Sequence, residues 1–330
     1  MLLHLRRTFR ELAAANAKLA NELAATSRRL REARRSVWRP FDRLGDVRDL
    51  PQAVMNREGV LPITIVDVGA QILDNRDDVF LPLERSGLCR KIAFEPIETE
   101  AEKLRKANPD AVVLPFVIGR GGPAVFGLAR FSATSSLFEP NMAFLRDFAD
   151  LPDRCERIDS RSVQTVRLDD IPEAAACDFL KLDVQGGELD VLAGAESALK
   201  NIVVVHTEVE FAPLYLGQPL FADIDTFLRA RDFELIDLAS PGYARYRVLQ
   251  SDDRWSRLLF ADAVYFKSAR AFAPARPSAL LKAALIAHVN YGYYDLAAYY
   301  LHHYDRLTGS DTLSQYADKH GHGGAGPLDA

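Results

Sequence analysis

The sequence predicts an α/β fold built on a mostly parallel sheet, and three observations carry that expectation. Ile63-Thr64-Ile65-Val66-Asp67-Val68-Gly69-Ala70 is a short β-branched apolar run reaching an acid and then a Gly turn. Such a run suits a strand buried on both faces. Strand-like and helix-like segments alternate from there to about residue 267, which implies βαβ crossovers. Three of the predicted strands end in an acid, Asp67, Glu95 and Asp183, and open α/β sheets bind ligands beyond the carboxyl ends of their strands.

The 330 residues are 48% hydrophobic and 26% charged, enough for one large α/β domain with appendages. The net charge of −5 is mild, and no nucleic-acid partner is expected. Cys89, Cys155 and Cys177 are scattered, without Cys-x-x-Cys spacing. They fit a reducing cytoplasm better than a disulfide framework or a thiolate metal site. No secretory signal is visible, because arginines follow Met1-Leu2-Leu3-His4-Leu5 at once. The nearest approach to a spanning segment, Ala279 to Val289, is short and carries Lys282 and His288.

Residues 1–40 read as a basic helix of their own. Leu5, Phe9, Leu12, Asn16, Leu19, Leu23, Thr26, Leu30, Ala33 and Val37 alternate spacings of four and three, a heptad seam that predicts a two-stranded coiled coil and hence a homodimer. The excess of arginine on its flanks leaves contact with an anionic membrane surface as an alternative, and packing on its own domain as another. Trp38-Arg39-Pro40 ends the helix, and residues 41–62 form a linker with a short helix.

The main domain is expected over residues 63–270. Strands are predicted at Lys91–Glu95, Ala111–Ile118, Ala124–Phe131, Val163–Leu168, Asp178–Val184, Ile202–Val209, Phe233–Asp237 and Asp262–Phe266. Helices are predicted at Asp77–Ser86, at Glu98–Ala107, at Phe221–Arg229, and from Glu188 through Leu199. Residues 271–308 read as a helical hairpin, its second arm rich in Tyr, and residues 309–330 as a disordered tail. The tyrosines from Tyr291 to Tyr304 are assigned to packing rather than to stacking on an acceptor. His320 and His322 are assigned to the tail rather than to a metal.

The three strand-end acids should converge on one edge of the sheet, with Glu95 placed to accept hydrogen bonds from ribose hydroxyls. A Gly-x-Gly-x-x-Gly pyrophosphate cradle is missing, which sets a nicotinamide dehydrogenase aside. His206, Glu208 and Glu210 alternate along one strand and share a face. With Asp183 and Glu188 they are the candidates for a general base. His206 also reads as a core histidine. Asp183 with Glu208 would make a pair for Mg²⁺, but no third ligand is in view and no metal site is assigned.

Four blocks give the chain a family resemblance: Val66-Asp67-Val68-Gly69-Ala70, Ala93-Phe94-Glu95-Pro96, Val166–Ile171, and Asp178-Phe179-Leu180-Lys181-Leu182-Asp183-Val184-Gln185-Gly186-Gly187-Glu188 continued by Val191–Ala195. In these blocks the sequence resembles the FkbM family of S-adenosylmethionine-dependent methyltransferases, over roughly residues 63–267. The resemblance implies a class I methyltransferase (Rossmann-like) fold with a mostly parallel seven-stranded sheet and S-adenosylmethionine as cofactor. It also implies methyl transfer to a hydroxyl of a sugar, polysaccharide or secondary metabolite. Carried over, Asp67, Gly69, Ala70 and Gln71 form the turn under the methionine moiety, and Glu95 holds the ribose. Asp183 lies near the methyl donor, and Ser135 and Ser136 belong to a loop over cofactor or acceptor. Two departures stand out: Leu73 where the family commonly has Gly, and Gln185 where it commonly has Glu. They motivate a rival reading, a catalytically degenerate methyltransferase-like binding or scaffold module.

Overall fold

The apolar run at the head of the domain forms β1 (Ile63–Val68), and all six of its residues are buried. It is seen in a computed structural model that describes residues 47–50, 52–55, 60–72, 78–248, 256–272 and 276–319. The heptad helix, Leu73, His320 and His322 lie outside the described residues. Among its described residues the linker forms a 3₁₀ turn at Val47–Asp49 and a short helix, α1 (Gln52–Met55).

Beyond β1 come α2 (Leu81–Arg85), β2 (Cys89–Phe94), α3 (Glu98–Ala107) and β3 (Val112–Leu114). The expected strand Ala111–Ile118 is not continuous. Pro115 follows β3 and has no N–H to give, so the chain leaves the main sheet there. It re-enters pairing elsewhere as β4 (Val117–Ile118). β5 (Gly122–Ala129) and β6 (Arg157–Val166) join β4 in a separate three-stranded sheet of order β4-β6-β5. Two short helices, α4 (Met142–Leu145) and α5 (Leu151–Cys155), lie between β5 and β6.

The chain returns to the main sheet as β7 (Phe179–Leu182), followed by α6 (Glu188–Ala193). That helix stops short of the expected Leu199. Gly194 caps it, where a Cβ would lie 2.1 Å from the carbonyl oxygen of Gly119. Then follow β8 (Val204–Glu210), α7 (Phe221–Arg229), β9 (Phe233–Ala244) and β10 (Arg257–Lys267). The seven strands run in the order β3-β2-β1-β7-β8-β10-β9. β10 is antiparallel to both of its neighbours, and the remaining pairings are parallel. The order reverses between β1 and β7, which makes the carboxyl ends of those strands the topological switch point. One core cluster joins Val66, Phe94, Leu180 and Leu182 of the sheet to Val191, Leu192 and Ile224 of α6 and α7.

The terminal hairpin forms as α8 (Pro277–Ile286), a π-helical turn at Ala287–Tyr291, and α9 (Tyr294–Thr308). Tyr291, Tyr300 and Tyr304 are buried, and the Tyr300 hydroxyl donates to the Lys267 carbonyl at 2.7 Å. These tyrosines pack. The tail expected to be disordered from Gly309 is instead helical over α10 (Thr312–Lys319). The Asp305 carboxylate accepts from the Thr312 and Leu313 N–H groups at 3.0 and 2.8 Å, satisfying the first orphan donors of that helix. No described helix is long and apolar enough to cross a membrane.

Candidate active site

A cleft opens at the strand reversal, between the carboxyl ends of β1, β2 and β7 on one side and the three-stranded sheet on the other. It is open to solvent. Gly69, Gln71, Glu95, Ser135 and Asp183 of the predicted site line it together with Lys181, and Val117, Phe126 and Leu137 face them. Asp67, Ala70, His206 and Glu208 are not part of its wall.

Asp67 lies beneath the floor. It is 2% exposed and sits between Lys181 of β7 (3.3 Å) and Lys91 of β2 (3.6 Å). Ala70 packs with Ala93 and Leu104. Both N–H groups of the turn, from Gly69 and Ala70, donate to the Phe94 carbonyl at 3.1 Å, so the turn spends its donors on the neighbouring strand. Gln71 reaches further out. Its Nε2 donates to Ser132 Oγ at 3.1 Å, while its buried Oε1 has no partner among the described residues.

Glu95 ends β2 at the cleft, and its Oε1 accepts the Ile97 N–H at 2.7 Å. Burial pushes its carboxyl up to about 7, helped by Glu100 and Asp67 and opposed by the Ile97 bond and Lys181. Ser135 uses its hydroxyl to accept the Ala129 N–H at 3.1 Å. Ser136 donates to the Gln185 carbonyl at 2.6 Å. Both serine oxygens help fasten the loop.

Gln185 is the hub of the third strand end. Its Nε2 donates to Asp183 Oδ1 at 2.9 Å and to Glu208 Oε2 at 2.6 Å. Its Oε1 accepts from the Tyr215 hydroxyl at 3.1 Å. The reverse amide orientation would set an oxygen against two carboxylates. The imagined Mg²⁺ pairing of Asp183 with Glu208 is therefore not formed, because an amide donor bridges them. Gln185 adopts φ +58°, a left-handed backbone that points its side chain inward between the two acids.

His206 is a core residue. It is 1% exposed, its Nδ1 lies 3.0 Å from the Tyr291 hydroxyl, and its ring stacks on Tyr291. Glu208 sits behind Gln185, with Glu188 and Glu210 beside it. Burial is the largest cause raising all three carboxyls, Glu188 to about 7 and the other two well above the usual carboxylate range.

The model of the Methyltransferase FkbM domain matches residues 67–235, just over half of the chain. This chain belongs to the FkbM methyltransferase family. A curated relative, the 2-O-methyltransferase NoeI of Sinorhizobium fredii, is 40% identical over 79 residues, which are 23% of this chain and 31% of NoeI. The chain thus matches less than a third of that relative's length. A solved TehB-like SAM-dependent methyltransferase from Corynebacterium glutamicum is 10% identical, covers 65% of this chain and 85% of its own, and superposes with a TM-score of 0.29. Within this FkbM chain, sequence reasoning passed over Tyr215 and Phe126, which come from irregular or edge segments and carry no periodic signal. It cited Gln185 only as a departure, although the residue links two of the candidate acids.

Proposed function

We propose that this FkbM family member is an S-adenosylmethionine-dependent O-methyltransferase acting on a hydroxyl of a sugar, polysaccharide or secondary metabolite. One observation carries the reading: the cleft at the β1/β7 reversal gathers Gln71, Glu95 and Asp183 around space open to solvent. The residues fit the cofactor. Gln71 Oε1 is a buried acceptor lacking a donor, which the ammonium of a methionine moiety would supply. Glu95 stands at the end of β2, where ribose hydroxyls can donate to it. The similarity to NoeI, a 2-O-methyltransferase, supports oxygen as the accepting atom.

Bound S-adenosylmethionine would bring a methyl group on a sulfonium. The chain's part is to orient and to remove a proton. Asp183 is the one catalytic candidate in the cleft wall, steadied by Gln185 and by Lys181 Nζ at 3.8 Å. It is placed to take the acceptor hydroxyl's proton, a role that adds about 10²–10⁴-fold to a rate. Positioning of the two reactants supplies much of the rest.

Calorimetric titration with S-adenosylmethionine tests the reading. Saturable heat is expected from the wild-type chain and a much weaker response from Glu95→Gln. A folded protein that gives no heat overturns it. The rival degenerate-scaffold reading rests on Leu73 and Gln185, and it predicts that Leu73→Gly with Gln185→Glu gains cofactor binding. Pairing of two chains through residues 1–37 rests on heptad spacing, and light scattering with and without those residues tests it. A cytoplasmic setting rests on the free thiols of Cys89, Cys155 and Cys177.

A further inference from the structure

Behind Gln185, out of the cleft wall, three glutamates meet. Glu188 comes from the first turn of α6, and Glu208 and Glu210 come from alternate positions at the end of β8. Each offers one oxygen, and no two of those oxygens are farther apart than 4.8 Å. The residues are 1%, 7% and 1% exposed. Glu188 Oε1 accepts the Val184 N–H at 2.8 Å, and Glu208 Oε2 takes the Gln185 amide. The remaining demand is unmet. Among the described residues, both carboxylate oxygens of Glu210 and Oε2 of Glu188 are buried without a hydrogen bond of normal geometry, and only the Gln218 side chain and the Glu210 N–H turn a donor toward Glu210. The nearby Lys181 is engaged with Asp67 and Asp183.

Buried carboxylates without partners are costly, and a cation is one way to compensate them. Two oxygens on one ion stand at most two bond lengths apart, about 4.2 Å for Mg²⁺ and about 4.6–5.2 Å for Ca²⁺. The glutamate oxygens fit within the second span as they stand. An all-oxygen donor set, with neither imidazole nor thiolate, selects a hard ion. We propose that Glu188, Glu208 and Glu210 form a site for a hard divalent cation of the Ca²⁺ kind, clamping the first turn of α6 to the end of β8, with Mn²⁺ as its spectroscopic probe. Glu210, whose oxygens make no hydrogen bond of normal geometry among the described residues, is the ligand the site depends on most. The proposal stands apart from methyl transfer, because it needs neither cofactor nor acceptor.

The test uses the full chain, stripped with EDTA and titrated separately with CaCl₂ and MnCl₂. Calorimetry follows both ions, and the loss of the free Mn²⁺ paramagnetic resonance signal follows the second. One ion per chain and a raised melting temperature are expected for the wild type. Glu210→Gln should weaken binding at least about tenfold, while Glu102→Gln on the exposed face of α3 leaves it unchanged. If the three carboxyls only share protons, neither ion binds stoichiometrically nor raises the melting temperature, and the proposal fails. It fails equally if Glu210→Gln binds as tightly as wild type. Should circular dichroism show that variant unfolded, Glu188→Gln replaces it, and the wild-type stoichiometry and melting shift still decide.

Discussion

A Cβ on Gly69 would lie 1.9 Å from the carbonyl oxygen of Asp183, so the turns that close β1 and β7 touch backbone to backbone. The Asp183 N–H donates to the Val68 carbonyl at 3.1 Å, which fixes that approach. Glycine is therefore required at 69 by the sheet itself, and by φ +78°. Gly69→Ala should lose about 2–4 kcal/mol from overpacking and left-handed strain together, read as a lower urea midpoint. A variant as stable as wild type would mean that the two turns are not in contact.

Gln185 keeps Asp183 and Glu208 apart by donating to both. Gln185→Glu puts a third carboxyl between them, with no donor unless it is protonated. Its folded pKa should rise above the unfolded value of about 4.3. The folded state then holds a proton that the unfolded state has released, so stability falls as pH climbs from about 4 through that raised pKa. The variant should be closer to wild type at pH 5 than at pH 8 in thermal melts. A deficit that does not vary with pH would remove the carboxyl-crowding account.

If Glu95 holds the ribose as proposed, cofactor affinity should depend on pH. Its carboxyl is pushed up to about 7, so the folded chain keeps over roughly pH 4.5–7 a proton that the unfolded chain gives up, and ionising it costs stability as pH rises. Ribose hydroxyls donate to the ionised form. S-adenosylmethionine should therefore bind roughly tenfold tighter at pH 8 than at pH 6. Glu95→Gln should bind weakly at both. Calorimetry at the two pH values checks this, and equal wild-type affinities would separate Glu95 from the ligand.

The elements that were legible in the sequence are those whose pattern is local. β1 announces itself by β-branched burial, α3 by its charged helical composition and its stop at Asn108-Pro109, and the strand-end acids by their place before turns. What was not legible depends on distant backbone. Gly194 reads as one more helical residue until Gly119 is seen against it. Asp305 caps α10 from the preceding helix, so Thr312–Lys319 looks unstructured when taken alone. In the site, residue type revealed Glu95 and Asp183, but exposure did not follow from type. Asp67 and His206 belong to equally acid- or base-bearing strands, yet they are committed to lysines and to Tyr291 inside the protein.

The amino end of the same sheet carries a second charged junction. Lys282 of α8 reaches both oxygens of Asp178, at 2.7 and 2.8 Å, with side-chain exposures of 15% and 4%. Asp178 also accepts the Thr64 N–H at 3.0 Å, and its carbonyl takes the Val203 N–H at 2.8 Å. One buried residue thus joins β1, β8 and the terminal hairpin. Lys282→Met strands that carboxylate against an apolar chain with a single donor left, and should cost about 3–5 kcal/mol at pH 7. Adding Asp178→Asn removes the uncompensated charge while keeping an acceptor for Thr64, so the double variant should regain part of the loss. Urea denaturation of the two single variants and the double measures the coupling. Additive losses would show that the pair does not hold the hairpin to the sheet. A double variant more stable than Lys282→Met alone would locate the penalty in the unpaired carboxylate, not in lost packing of the lysine stem.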